Sequence, residues 1–217
     1  KYLIFSSSCS VYGQCGEVKE ESKLNPISPY GWTKFVSEQI IQNCANQLNI
    51  SFISLRYFNV IGNGNFPMAF DNSEECLVPK IYKAIINKQL PKVFGTDFET
   101  SDGSAIRDFA YAGDIADGII LTLIKGTAEY DFLNLGSGNG YSIKELVETL
   151  CKVVKFNYKF DKSKNSGFPK RIMNIKNAIK ILGFEPKTNL EEGLKETWDW
   201  YIKNSSQTDK RHNYFNK

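Results

Sequence analysis

Short apolar segments alternate with segments of helical spacing along this chain, and this alternation constrains the fold more than any other feature. Apolar runs at 2–5, 51–57 and 132–135 predict buried strands, and 92–94 predicts a briefer one. Strands separated by helices are typical of an α/β fold with a largely parallel sheet. We expect helices at 30–48, 77–87, 114–125, 143–154, 177–182 and 190–202.

Several of these helices carry start signals in the sequence. Ser142-x-x-Glu145 has the form of a capping box, and Asn189-x-x-Glu192 has the same spacing. Asp114 is placed to cap the helix that runs to about residue 125. The first helix is predicted to bury an apolar face made of Phe35, Ile40, Ile41, Cys44 and Leu48.

The charge balance excludes two classes of partner. The 217 residues include 27 basic and 24 acidic side chains, which give a net charge of +3, and the two signs are interspersed. Such a surface predicts binding to neither nucleic acid nor a membrane. No apolar run approaches the roughly 20 residues that cross a bilayer.

The five cysteines form no C-x-x-C pair, and their odd number argues against a disulfide scaffold. We therefore expect no metal site, mostly buried free thiols, and a reducing, cytoplasmic location. The single histidine, His212, lies in a polar C-terminal segment. A mechanism that needs a catalytic histidine has almost nowhere to place it.

The strongest local signal is Tyr30-x-x-x-Lys34 at the start of a predicted helix. A spacing of four puts the phenol and the ammonium on one helix face. A free tyrosine has a pKa near 10, and a neighbouring positive charge lowers that pKa toward the working range of a base. The pair therefore suggests acid–base chemistry.

A serine cluster supports this interpretation. Ser6, Ser7 and Ser8 precede x-x-V-Y-G, at the carboxyl end of the first predicted strand. Ligands of open parallel sheets bind at that end of the strands. A Ser8 hydroxyl located there can hydrogen-bond both a substrate hydroxyl and the oxygen of Tyr30.

Together, S-S-S-x-x-V-Y-G and S-P-Y-G-x-x-K resemble the extended short-chain dehydrogenase/reductase family. Residues 56–60, R-Y-F-N-V, are similar to a segment of its UDP-glucose 4-epimerase branch. Residues 93–109, V-F-G-x-D-F-x-T-x-D-G-S-x-x-R-D-F, resemble a longer and more specific signature of that branch. The similarity extends to about residue 201.

The resemblance implies the C-terminal part of a Rossmann-type parallel sheet plus a smaller α/β substrate-binding domain. Residues 1–60 would be the remaining Rossmann part, 61–203 mainly the nucleotide-sugar-binding domain, and 204–217 a polar tail. Some segments of the second part would return to the Rossmann sheet. A homodimer is also implied.

The resemblance further implies NAD as cofactor and a nucleotide sugar as substrate, epimerised at C4 through a 4-keto intermediate. Tyr30 would remove the 4-hydroxyl proton, Ser8 would bridge the 4-oxygen and Tyr30, and Lys34 would bind the nicotinamide ribose. Ser8, Tyr30 and Lys34, with Tyr57 and Phe58, would form the cofactor-binding set. The implied substrate-binding residues are Asn59, Cys76, Leu77, Val93, Phe94, Arg107 and Arg171.

Two of these positions depart from the epimerase pattern. Cys76 stands where an asparagine is usual, and Arg171 falls where side-chain size gates the N-acetyl group. Both changes leave the sugar undetermined. Arg107 has a second interpretation, as a surface ion pair with Asp108.

The residues bear on three rival functions. Dehydration is disfavoured because Cys9 and Ser10 stand where dehydratases carry an acid. Residues 160–171 and the S-S-C at Cys9 resemble the GDP-fucose synthases, but that mechanism needs the missing histidine. A non-catalytic sugar-nucleotide-binding fragment stays open as well.

No G-x-G-x-x-G joins a strand to a helix in this chain. The strand at 2–5 also begins abruptly, so we expect a preceding segment of roughly 100 residues to carry the cofactor fingerprint. Without that segment the chain should bind NAD weakly or not at all. The glycines at 136, 138 and 140 precede a capped helix and predict a turn.

Overall fold

The computed structural model describes residues 2–14, 16–64, 76–95, 97–125, 131–161 and 167–208. His212 and the N-terminal residue lie outside these ranges. Within them, helices and mostly parallel strands alternate, which confirms the predicted α/β fold. No helix of the described ranges combines the length and the apolar character that crossing a membrane requires.

The first strand of the chain belongs to a three-stranded parallel sheet. Its strands are β1 (Tyr2–Ser8), β3 (Ser51–Tyr57) and β8 (Phe132–Leu135), in the order β1-β3-β8. Ser8 pairs with Tyr57 in the β1–β3 register, so the carboxyl ends of these strands lie side by side. This end of the sheet is where the serine cluster was predicted to lie.

Helix α1 (Pro29–Leu48) packs on β1 and β3 and on a short 3-10 helix at Cys9–Tyr12. Pro29 occupies the first helical turn, where a missing N–H costs nothing, and Ser28 caps the helix by accepting from the Gly31 N–H. These two residues fix where α1 begins, one residue before Tyr30.

The remaining strands form smaller sheets. Strand β11 (Lys170–Met173) pairs in parallel with β2 (Glu17–Val18) and with β6 (Ile106–Arg107), and β6 pairs antiparallel with β9 (Tyr141–Ser142). Strands β4 (Asn59–Ile61) and β7 (Phe109–Tyr111) form a parallel pair. Strands β5 (Lys92–Phe94) and β10 (Lys159–Asp161) form another.

Five further helices follow, close to the predicted positions. They are α2 (Leu77–Ile86), α3 (Ala112–Lys125), α4 (Ile143–Val153), α5 (Lys176–Leu182) and α6 (Leu190–Thr208). The capping box at Ser142 and Glu145 is present at the start of α4. The Glu192 N–H donates to Asn189 Oδ1 at 2.9 Å, as its spacing predicted.

Two apolar clusters fill the interior. The first packs β1, β3 and β8 against α1, α3 and α5, and it contains Val11, Ile53 and Leu133. The second packs α2, α4 and α6 together and contains Val93 and Leu150. The first cluster also includes Ala110, Ile115 and Met173, although these residues follow Val93 of the second cluster in sequence.

Four sequence predictions were wrong in detail. Strand β1 is buried only at Ser7 and Ser8, because β3 is its single described strand neighbour. Asp114 does not cap α3, which begins at Ala112; its buried carboxylate accepts from the Thr188 N–H at 3.0 Å.

The predicted apolar face of α1 is also wrong, because Ile40, Cys44 and Leu48 are exposed. The buried positions of α1 are Gly31, Glu38 and Ala45, which are spaced by seven residues. Of the described cysteines only Cys9 is buried, whereas Cys44 and Cys76 are exposed and Cys151 is half-buried. Burial of thiols was therefore predicted too broadly.

Candidate functional site

The Ser8, Tyr30 and Lys34 side chains come from two elements that meet at the carboxyl end of β1. Ser8 is the last residue of β1 and is 8% exposed, while Tyr30 lies in the first turn of α1 and is 54% exposed. The phenol is therefore open to a ligand, and the serine is held against the protein.

Lys34 ties α1 to β1. Its Nζ donates to the Ser6 carbonyl at 2.9 Å and lies 5.8 Å from the centroid of the Tyr30 ring. The positive charge thus lies over the phenol ring, as the four-residue spacing predicted. Ser8 Oγ donates to Ser10 Oγ at 3.1 Å and accepts from the Ser10 N–H, so its rotamer is fixed.

Gly31 lets α1 approach the 3-10 helix. A Cβ at this position would lie 2.8 Å from the Ser10 carbonyl oxygen and 3.2 Å from Pro26 Cβ. Only glycine avoids a collision with the main chain here. The residue beside Tyr30 therefore sets how close the tyrosine comes to the Ser8 segment.

Tyr57 and Phe58 follow at the carboxyl end of β3. The Tyr57 hydroxyl lies 3.3 Å from Ser6 Oγ, and burial raises the pKa of Tyr57. Phe58 is buried, and Asn59 is exposed at the start of β4. All three residues thus follow the strand whose end lies beside Ser8.

A cavity of about 500 Å³ opens between α2, β5 and β6. Three of the predicted substrate-binding residues line it: Leu77, Phe94 and Arg107. Val93, also predicted to bind substrate, is fully buried in the second cluster and does not line the cavity. Cys76 is the exposed residue before α2.

Arg107 and Arg171 form a stacked pair. They are register partners in the β6–β11 ladder, and the Phe168 ring lies 4.6 Å from one guanidinium carbon and 4.2 Å from the other. Burial, and then the charge of Arg171, lowers the pKa of Arg107 to about 10. Two adjacent guanidinium groups of this kind can bind an anion.

Arg171 connects this pair to the serine segment. Its Nη1 donates to the carbonyls of Cys9 at 3.3 Å and Gly13 at 3.1 Å, and its guanidinium lies 5.2 Å from the Phe58 ring centroid. A continuous row of side chains therefore runs from the cavity to the residue after Ser8.

Asp108 is not the partner of Arg107. Its carboxylate accepts from the N–H groups of Ser137 at 2.8 Å and Gly138 at 3.0 Å, and from Ser137 Oγ. Burial raises the pKa of Asp108. The two Arg107 Nη atoms donate to the carbonyls of Ile106 and Phe168, both at 2.8 Å.

Sequence reasoning did not find several of these residues. Phe168 was only part of a motif, and no sequence signal showed that two arginines contact its ring. Glu38 is buried beneath the site. Its position four residues after Lys34, which places both side chains on one face of α1, was the available sequence signal. Further cavity-lining residues are Lys80, Ile81, Ala84, Gln89, Leu90, Pro91, Lys92, Ala105 and Ile143.

Comparison with known proteins agrees with this geometry. Residues 1–136 match the NAD dependent epimerase/dehydratase family, and the chain belongs to that family. Over 211 residues it is 34% identical to a UDP-glucose 4-epimerase of Lactobacillus helveticus, which covers 93% of this chain and 64% of the relative. A UDP-glucose 4-epimerase of Rhizobium meliloti is 32% identical, with 92% and 63% covered.

Solved structures give the same result. A UDP-glucose-4-epimerase from Stenotrophomonas maltophila, with bound NAD and formylated UDP-arabinopyranose, matches with a TM-score of 0.85 at 27% identity, covering 95% of this chain and 65% of the other. A UDP-glucose 4-epimerase from Bifidobacterium longum, in complex with NAD+ and UDP, matches with a TM-score of 0.84 at 25% identity, covering 94% and 64%. This chain spans less than two thirds of the length of these relatives.

Proposed function

We propose that the protein catalyses NAD-dependent epimerisation at C4 of a UDP-linked sugar. The observation that carries this proposal is the convergence of Tyr30, Lys34 and Ser8 at one sheet edge. The row from Cys9, the residue after Ser8, through Arg171 to Arg107 joins that edge to a cavity. Four curated relatives and several solved structures named UDP-glucose 4-epimerase support the same reaction.

The residues at the sheet edge fit the nicotinamide riboside end of NAD. Lys34 carries three donors, and the Ser6 carbonyl accepts one of them. Phe58 offers a ring beside the same edge. The glycine-rich turn at 136–140 does not fit the pyrophosphate, because the Asp108 carboxylate already accepts its N–H groups. A nicotinamide bound at this edge supplies the hydride acceptor and donor.

The chain's own residues supply the proton chemistry. Tyr30 removes the proton of the sugar 4-hydroxyl, and the Lys34 ammonium lies 5.8 Å from the centroid of its ring. Ser8 Oγ donates its proton to Ser10 Oγ in the structure, so to hold the 4-oxygen it turns this proton from Ser10 to the sugar. Loss of this proton together with the C4 hydride gives a 4-keto sugar, which must present its opposite face before the hydride and the proton return.

The cavity holds the nucleotide end in this proposal. Arg107 and Arg171 neutralise the diphosphate, and a planar guanidinium suits that task. Leu77 and Phe94, which line the cavity, frame the nucleobase, and Val93 lies buried behind them. Asn59 and Cys76 complete the proposed substrate-binding set.

We also propose a two-part organisation and a homodimer. Residues 1–60 belong to the cofactor-binding part and 61–203 mainly to the sugar-nucleotide part, in a cytoplasmic protein.

The exposed apolar stripe of Trp32, Val36 and Ile40 on α1 supports a dimer, because its members are spaced by four residues. Light scattering of an Ile40→Glu variant should then report a monomer.

The reaction is tested with the protein expressed from its complete gene. UDP-galactose or UDP-GalNAc is supplied, and sugar interconversion is followed together with absorbance at the NADPH band. Interconversion without net reductant loss supports the proposal, because a 4-epimerase returns its hydride in each cycle. Stoichiometric NADPH consumption with a GDP-4-keto sugar would instead identify a fucose-synthase-like reaction. Tight binding of the sugar nucleotide without turnover would identify a non-catalytic binding protein.

A further inference from the structure

A chain of buried hydrogen bonds runs beneath the proposed catalytic residues, from β1 through α1 to β3. Ser7 Oγ donates to Glu38 Oε1 at 2.6 Å. Arg56 donates to both oxygens of the same carboxylate, from Nε at 2.9 Å and from Nη2 at 2.8 Å. Ser7 is 3% exposed, Glu38 0% and Arg56 1%, so water does not replace these contacts.

The chain continues toward β8. Arg56 Nη1 donates to the Tyr12 hydroxyl at 2.9 Å, and that hydroxyl donates to Asn134 Oδ1 at 2.7 Å. Burial raises the pKa of Tyr12 to about 12, so the hydroxyl stays protonated and able to donate. The Phe132 ring lies 4.3 Å from the guanidinium carbon of Arg56 and covers its face.

Such an ion pair is weak evidence for stability. The cost of desolvating two charges offsets most of their attraction. Apolar residues of similar volume in the same place often stabilise a core at least as much as the ion pair does. What the fully satisfied pair does supply is a single geometry, because a bidentate contact fixes both distance and angle. The question is therefore which parts of the molecule it holds in register.

Three members of this chain, Glu38, Ser7 and Arg56, lie close in sequence to residues of the proposed site. Glu38 lies four residues after Lys34 and eight after Tyr30, on the same face of α1. Ser7 immediately precedes Ser8, and Arg56 immediately precedes Tyr57. Helix α1 is thus fixed to β1 twice, by Lys34 on Ser6 and by Glu38 on Ser7.

We propose that Glu38, acting through Ser7 and Arg56, is a positioning residue that sets the distance between the Tyr30 phenol and the Ser8 hydroxyl. This inference rests on the reaction proposed above. Glu38 touches neither substrate nor cofactor; it holds the helix that carries the base against the strand that carries the serine. A displacement of ~1 Å in such a geometry can cost on the order of a hundredfold in rate.

The test uses Ser7→Ala in the protein expressed from its complete gene, because removing Glu38 would leave Arg56 buried and unpaired and could prevent folding. Ser54→Ala is the matched control. Ser54 lies on β3 and is fully buried, and within the described residues its hydroxyl has no hydrogen-bond partner. Ser7→Thr keeps the hydroxyl and serves as the conservative variant.

We expect Ser7→Ala to lower kcat for UDP-galactose about tenfold with KM within a factor of two. Ser54→Ala should change neither constant, and Ser7→Thr should recover most of kcat. A Ser7→Ala protein with unchanged kcat and a lowered thermal midpoint would show that the contact serves only stability, and that result overturns the proposal.

A second measurement does not depend on the reaction. The ¹⁹F resonance of 3-fluorotyrosine incorporated at position 30 reports the surroundings of that ring. Ser7→Ala should shift or broaden it, and Ser54→Ala should leave it in place. If no UDP-sugar is converted but the resonance moves, the proposed function fails and the positioning role stands. Identical spectra in all variants overturn the positioning role.

Discussion

The region around Ser8 and Tyr30 positions its side chains with buried hydrogen bonds, whereas the cavity region positions its arginines with aromatic rings and main-chain carbonyls. In the first region the Glu38–Arg56 pair and the Ser7 hydroxyl fix one helix against two strands. In the second, Arg107 and Arg171 stack on Phe168 beside an open cavity.

The difference follows from what each region must do. Proton transfer needs reacting atoms held at a fixed distance, and directional contacts supply that. A nucleotide diphosphate needs positive charge and apolar area, and stacked guanidinium groups tolerate small shifts of the ligand. We therefore expect changes in the first region to act on kcat and changes in the second to act on KM.

The largest expected effect comes from Tyr30→Phe. This change removes the acid–base hydroxyl and keeps the ring, so kcat should fall by roughly 10²–10⁴-fold. The affinity for the sugar nucleotide should stay nearly constant, because the cavity is untouched. Steady-state kinetics and calorimetry check both statements. Near-normal turnover would remove Tyr30 from the mechanism.

Arg107→Gln should act on the other region. A hydrogen bond to a charged group contributes ~1.5–3 kcal/mol, so KM should rise roughly tenfold to a hundredfold with a smaller change in kcat. Lys159→Gln removes an exposed cation of β10 and is the control. A fall in kcat at constant KM would contradict the assignment of Arg107 to binding.

Much of the fold was predictable because its signals are local. The strand at 51–57 and the capping box at Ser142 were placed correctly from periodicity and spacing alone. Two-residue strands such as β2 and β6 were missed, since they carry no periodicity and exist through their pairing with β11.

The site was predictable to a different degree. Spacing alone brought Tyr30 and Lys34 onto one face of α1. The rotation of α1 was not predictable, because a collision at Gly31 and a buried charge at Glu38 decide it, and a hydrophobic pattern describes neither. The stacking of Arg107 and Arg171 likewise depends on a ladder between strands 64 residues apart in sequence.

Gly31→Ala tests whether close approach matters in the first region. Alanine favours a helix by ~1 kcal/mol over glycine, but its Cβ would lie 2.8 Å from a main-chain oxygen. Overpacking typically costs ~1–3 kcal/mol, so the collision should outweigh the propensity. We expect kcat to fall several-fold with KM nearly constant. An unchanged kcat would show that the Tyr30 turn adapts more easily than the hydrogen bonds indicate.

The smallest expected effect, from Ser142→Ala, separates stability from chemistry in the cavity region. Ser142 Oγ accepts from the Glu145 N–H at 2.9 Å, and the next residue, Ile143, lines the cavity. Losing a helix cap typically costs ~1–2 kcal/mol, so the thermal midpoint should fall by roughly 2–8 °C.

If the two regions are independent, Ser142→Ala should leave kcat unchanged and raise KM by no more than about twofold, because the loosened turn borders the cavity and not the sheet edge. Glu145→Gln is the matched control, since glutamine also completes a capping box and should keep the midpoint near that of the parent. Thermal melts and steady-state kinetics on the same samples give both quantities. A kcat that falls with the midpoint would show that the start of α4 is coupled to the Tyr30 turn, and the division into a chemical and a binding region would then be wrong.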